Sequence, residues 1–168
     1  MTRHSSIQGI LLANILAAGA APAVAQQPAW VIEAPARRAL SALWRASVTA
    51  RSERVACLSG RIGSDSVWIT GAAPVVTKGA DSLAAEGEPS LAQCGPPQWI
   101  GTVHTHVRST DDVEPADRFS PGDRAQMSEW ARRWSRAGAF CLLHSAQAAH
   151  CELYPWRRQP PRLPPPNP

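Results

Sequence analysis

Gly101-Thr102-Val103-His104-Thr105-His106 is followed, across a polar connection, by Phe119-Ser120-Pro121-Gly122-Asp123. These two stretches decide the reading of the chain. The first has the pattern of a strand. Side chains on a strand alternate between faces, so His104 and His106 point the same way and can grip one ion. The second has the pattern of a helix start. Ser120 is a natural N-cap, Pro121 suits the first helical position, and Asp123 completes a capping-box spacing. An aspartate there is favoured in its ionised form by the helix dipole, and ionised is the form a metal ligand needs. Two imidazoles and one carboxylate make a three-ligand set with an open fourth position, which is the catalytic form of a zinc site. His104, His106 and Asp123 are therefore the candidate metal ligands.

Working outward, Gln98 to His106 reads as one strand, with Ile100, Thr102, His104 and His106 on one face and Trp99, Gly101, Val103 and Thr105 on the other. Val107–Phe119 is a thirteen-residue polar connection carrying Asp111, Asp112, Glu114 and Asp117. In the helix that opens at Ser120, Met127, Trp130, Ala131 and Trp134 form an apolar stripe. Gly138 is its expected stop. Ala139–His144 and Ala149–Tyr154 read as a closing pair of strands. Upstream, Ala34-Pro35 opens an amphipathic helix to about Ala50, with Leu40, Leu43, Trp44 and Val48 at helical spacing. Val55–Ile62 and Val67–Thr70 read as a hairpin around Gly63-Ser64-Asp65-Ser66. Pro74–Pro97, rich in Ala, Gly, Ser and Pro, reads as a long loop with room for a short helix near Asp81–Glu86.

The chain has 168 residues, a hydrophobic fraction of 44% and a formal charge of +4. That is enough for one domain with a real core, and it excludes a chain disordered by composition. The basic residues are scattered arginines, with Lys78 the only lysine, so no basic run points to nucleic acid. Residues 1–25 have the pattern of a signal peptide: Arg3 and His4, the apolar run Ile10–Ala18, then Ala23-Val24-Ala25 as a cleavage site. The apolar run is short, so cleavage is expected rather than anchoring, and no other segment is long enough to span a bilayer. The mature protein is expected in the periplasm or secreted. Cys57, Cys94, Cys141 and Cys151 are then an even set in an oxidising compartment. Three pairings exist. A hairpin favours Cys141–Cys151, with Cys57–Cys94 as the other pair; buried free thiols are the alternative. Residues 157–168 form a proline-rich tail, either a solvated extension or a docking peptide. The expected domain is 28–156.

Three ligands leave a metal-associated water in need of a base, best supplied by a carboxylate from a neighbouring element. Glu53, between the first helix and the first hairpin strand, is the candidate. Glu53 with Gly60 seven residues later, then His104-x-His106, then Ser120-x-x-Asp123, resembles the JAMM motif of the JAB/MPN metalloprotease family. The stretch from Glu53 to Gly60 is similar to the family's E-x-C-G-x-L-x-G strand, with Val55 and Ala56 in place of the Cys and the first Gly. The element order over residues 32–155 is also similar. Val107 stands where the family usually has proline, and the connection to Ser120 is longer than usual.

The resemblance implies an α/β fold: a JAB/MPN-like (cytidine-deaminase-like) mixed sheet flanked by helices, in a single domain. It implies one Zn2+ held by His104, His106 and Asp123, Glu53 as general base and acid, and Ser120 as hydrogen-bond donor to the tetrahedral oxyanion. It implies a metallopeptidase that hydrolyses a peptide or isopeptide bond through a metal-activated water. With export, the expected partner is a peptide or protein of the cell envelope. The alternatives are a non-catalytic MPN-like binding module, whose relatives typically lack one or more motif residues, and a periplasmic zinc-binding protein.

Overall fold

The first helix sets the layout of the domain. In a computed structural model, which describes residues 28–75, 87–107 and 117–155, α1 runs over Ala34–Ala50. Pro35 lies in its first turn, where the absent N–H would have had no helical partner. Arg51 closes it in a left-handed conformation, its N–H turned back to the Ser47 and Val48 carbonyls. The buried face is Ala36, Leu40, Leu43 and Ser47, spaced as one helical stripe. Val48, expected on that stripe, is half exposed, and polar Ser47 occupies the core position instead.

Against α1 lies a six-stranded sheet of β1 (Ala29–Ile32), β2 (Val55–Ile62), β3 (Ser66–Pro74), β4 (Gly101–Thr105), β5 (Gly138–Leu143) and β6 (Ala149–Tyr154). Their order is β1-β3-β2-β4-β5-β6. β1 runs parallel to β3 and β4 parallel to β5, while the other neighbours are antiparallel. The opposite face carries α2 (Gly87–Gln93) and α3 (Pro121–Trp134). β5 shows both layers. Its Ala139, Cys141 and Leu143 join Leu40 and Leu43 of α1, and its Phe140 and Leu142 join Leu91, Met127 and Trp130 of α2 and α3. All six β5 residues are buried, as a strand covered on both faces requires. These elements share one sheet and make a single mixed α/β domain.

Both favoured cysteine pairings are present. Cys57–Cys94 ties β2 to the chain just beyond α2, and Cys141–Cys151 joins β5 to β6. Trp130 fixes α3 from inside: it is almost fully buried, its Nε1–H donates to the Cys94 carbonyl at 3.0 Å, and its ring meets Phe140 edge-on. Truncating such a side chain costs about 3–5 kcal/mol.

The hairpin, α1, α3 and the closing strands are present, but several details differ. β3 runs to Pro74 rather than Thr70. β1 is an additional edge strand. β4 begins at Gly101, so Gln98–Ile100 is not strand. α2 occupies part of the expected loop. Gly138 does not stop α3, which ends at Trp134 with Ser135 in the left-handed region. Gly138 instead opens β5 beneath the Trp130 ring, where an added Cβ would come within 2.7 Å of Cε3. Gly60 has a backbone role of its own. It sits at a bulge in β2 with φ of 152°, and a Cβ there would lie 1.9 Å from the Trp68 carbonyl oxygen. The expected signal segment 1–25, the short helix near Asp81–Glu86 and the tail 157–168 lie outside the described residues. Among the described residues, no helix is long and apolar enough to cross a membrane.

Candidate metal centre

Two chain segments bring the expected ligands together. Alternation along β4 buries Gly101, Val103 and Thr105 toward α1 and turns Thr102 and His104 to the other face. His106 follows the strand, and its N–H donates to the Leu143 carbonyl at 2.9 Å, which prolongs the β4–β5 ladder by one bond. Asp123 arrives from the first turn of α3. Its side chain accepts from the Ser120 N–H at 2.7 Å, while Ser120 Oγ accepts from the Asp123 N–H at 3.1 Å. The expected capping box is therefore formed, and it aims the aspartate.

The ligand atoms converge. His104 Nε2 lies 3.2 Å from His106 Nε2 and 3.2 Å from Asp123 Oδ1, and His106 Nε2 lies 3.7 Å from Asp123 Oδ2. Ligands about 2.05 Å from a tetrahedral ion sit about 3.3 Å from one another. Asp123 approaches His104 through Oδ1 and His106 through Oδ2, and the three groups lie close enough together to hold one metal ion. They are mostly shielded from solvent, with side-chain exposures of 13%, 14% and 21%.

The two oxygens of Asp123 have separate partners. Oδ2 is held by the Ser120 backbone, and Oδ1 faces His104. Burial pushes this carboxyl up. The His104 imidazole and the Ser120 N–H and hydroxyl outweigh burial and hold the carboxyl well below the usual carboxylate range. Asp123 is thus ionised at any ordinary pH, as a ligand must be.

Glu53 reaches the same place from the link between α1 and β2. Its Oε1 lies 3.8 Å from His106 Nε2. β2 and β4 are antiparallel, with Val55 opposite His104, which sets the start of β2 beside the end of β4. Ser120 lines the same cleft, of about 470 Å³, as do Glu53, His104, His106 and Asp123. Its hydroxyl oxygen accepts the cap bond, and its one O–H proton, directed at the Asp123 carboxylate here, has to turn to reach another acceptor. All five expected site residues therefore meet in one cleft.

Several contributors were not singled out from sequence. Leu91 of α2, with Met127 and Phe140, gives the cleft an apolar wall. Phe119 packs its ring between His104 and His150. Arg124 makes a two-pronged ion pair with Glu152 at 3.0 Å and 3.0 Å, tying the first turn of α3 to β6. A bulky apolar residue just before the N-cap was the available signal for Phe119; nothing local marked the others. His150 pairs with Glu152 at 2.9 Å and His144 lies past β5, so both stand outside the triad. Asp117, one of the four acids of the connection, is exposed and pairs with Arg118. Asp111, Asp112 and Glu114 lie outside the described residues.

No family model matches the chain, and no curated protein matches it. Among solved structures, the solution structure of protein DSY2949 from Desulfitobacterium hafniense is similar, with 16% identity and a TM-score of 0.45. The match covers 74% of this chain and 82% of that one.

Proposed function

We propose that the chain is an exported zinc-dependent metallopeptidase of the JAB/MPN type, hydrolysing a peptide or isopeptide bond. The observation that carries the reading is the convergence of His104, His106 and Asp123 at 3.2–3.7 Å, with the Glu53 carboxylate 3.8 Å from His106. Two nitrogens and one carboxylate oxygen suit zinc and leave a fourth position open. The two disulfides fit an oxidising compartment, in keeping with export.

When bound, zinc supplies a Lewis acid for the scissile carbonyl and lowers the pKa of a water to about 7. The chain's residues do the rest. Glu53 accepts the proton of the attacking water at its carboxylate and returns it to the leaving nitrogen as the C–N bond breaks. Ser120 donates its hydroxyl proton to the oxygen on which negative charge develops. The Ser120 N–H holds Asp123 Oδ2, which orients the carboxylate with Oδ1 toward His104. The apolar wall of Leu91, Met127 and Phe140 limits water in the cleft.

The test is a comparison of purified mature wild type and Glu53→Gln on a peptide mixture made from envelope proteins, read by mass spectrometry. Glu53→Gln is expected to retain zinc and lose about 10²–10⁴-fold in hydrolysis. Full activity in that variant removes Glu53 from its role. A zinc-loaded wild type that cleaves nothing favours the binding-module or zinc-binding readings.

A further inference from the structure

The segment that carries Glu53 has no regular structure of its own; residues 51–54 simply link α1 to β2. Its peptide groups are nevertheless gripped on both sides of Glu53. The Ser47 hydroxyl donates to the Ser52 carbonyl. The Arg54 N–H donates to Thr105 Oγ1 at 2.9 Å. Ser47 Oγ and Thr105 Oγ1 lie 2.5 Å apart, and both residues are fully buried.

Counting protons gives these bonds a direction. Each hydroxyl has one proton. That of Ser47 goes to Ser52, so the bond between the two hydroxyls is donated by Thr105. The chain therefore runs one way, from the Arg54 N–H through Thr105 and Ser47 to the Ser52 carbonyl. Hydrogen bonds linked head to tail in a low-dielectric interior polarise and strengthen one another. A second bond, from the Thr105 N–H to the Arg54 carbonyl at 3.0 Å, fastens the same segment to β4. Alanine at position 47 would fill the α1 stripe without a buried polar group to satisfy. The hydroxyl is explained by what it holds.

We propose that Ser47 and Thr105 are positioning residues that fix Glu53 beside His106, where it can exchange protons at the metal centre. This rests on the reading of Glu53 as the proton carrier. Thr105 stands between the two histidines, so one residue sets the spacing of the ligands and the base. Ser47 reaches the same point from α1 without touching a ligand.

Cobalt(II) is the probe, bound to mature protein carrying ¹³C at its glutamate carboxyl carbons. The Glu53 signal is identified by its loss in Glu53→Gln. Wild type and Thr105→Ser are expected to show a paramagnetically shifted Glu53 carboxyl. In Ser47→Ala and Thr105→Val that shift collapses while cobalt remains stoichiometric. An unchanged shift in both of the latter variants overturns the proposal. Hydrogen exchange in the wild type provides a test that needs no variant to fold. The Arg54 amide is expected to be protected, and free exchange there overturns the hydrogen-bond chain. A wild type that binds no cobalt overturns the proposed function instead, and Arg54 exchange still decides whether the chain exists.

Discussion

Ser120 has two duties on one oxygen, and two substitutions separate them. Its Oγ accepts the Asp123 N–H at 3.1 Å as the cap of α3, and in the proposed reaction its proton serves the developing oxyanion. Ser120→Ala removes both. Loss of a serine cap costs about 1 kcal/mol, which for a domain of this size lowers Tm by about 3–5 °C. The 2.7 Å bond from the Ser120 N–H to Asp123 Oδ2 survives, because its donor is the backbone N–H. Asp123 stays aimed, and zinc retention is expected to be unchanged. Ser120→Gly differs in one respect: glycine at an N-cap costs only a few tenths of a kcal/mol relative to serine. Stability therefore returns most of the way, but hydrolysis does not. Losing an oxyanion donor lowers kcat by about 10²–10³-fold, on the order of 3–4 kcal/mol. Calorimetric melting of the zinc-free proteins reads the first effect, and turnover of a cleavable envelope peptide by the zinc-loaded proteins reads the second. Wild-type turnover in Ser120→Gly would refute the oxyanion role and leave Ser120 as a cap alone.

The two disulfides close loops with sequence separations of 37 and 10. Loop-closure entropy gives about 4 kcal/mol for Cys57–Cys94 and about 3 kcal/mol for Cys141–Cys151, so paired alanine substitutions should lower the denaturant-derived stability in that order; a larger loss at Cys141–Cys151 contradicts it. Acid stability has a specific contributor in Glu152. Burial pushes its carboxyl up, but Arg124 and His150 outweigh burial and hold it below the usual glutamate range. A carboxyl depressed in the folded state adds stability above its unfolded pKa and loses it as the pH falls through the folded value. Denaturation midpoints of the zinc-free wild type are therefore expected to drop below about pH 4.5, and more steeply than those of Glu152→Gln. Parallel curves for the two proteins would show that the α3–β6 tie contributes nothing.

The centre of the molecule was legible because its signals are local and periodic. Alternation in β4 placed His104 and His106 on one face. Ser120, Pro121 and Asp123 spelled out a helix start whose bonds involve only neighbours. The Cys141–Cys151 pair followed from a hairpin with its cysteines directly opposed. What stayed hidden depends on distant partners. Four residues are too few to show periodicity, and β1 is a strand because β3 offers it an edge. The composition around α2 reads as loop, and the helix packs on β2 and α3, near the Cys57–Cys94 link. Ser47 looks like a polar residue beside an apolar stripe until Thr105 and Ser52 show why it is buried. Gly138 looks like a helix stop, yet its reason is the Trp130 ring lying against it. Glu53 was reachable only through the resemblance of its stretch to a known motif and its order relative to the later histidines and aspartate, since no local periodicity or cap sets it apart.

The central claim is that His104, His106 and Asp123 hold one zinc ion. Its most direct measurement is the metal content of the mature protein, purified without chelator after export, compared with His104→Ala and Asp123→Ala. The account predicts stoichiometric zinc in the wild type and its loss in both variants, with Cys57–Cys94 and Cys141–Cys151 still formed. Wild-type protein without stoichiometric zinc, or variants that retain it, would contradict the account.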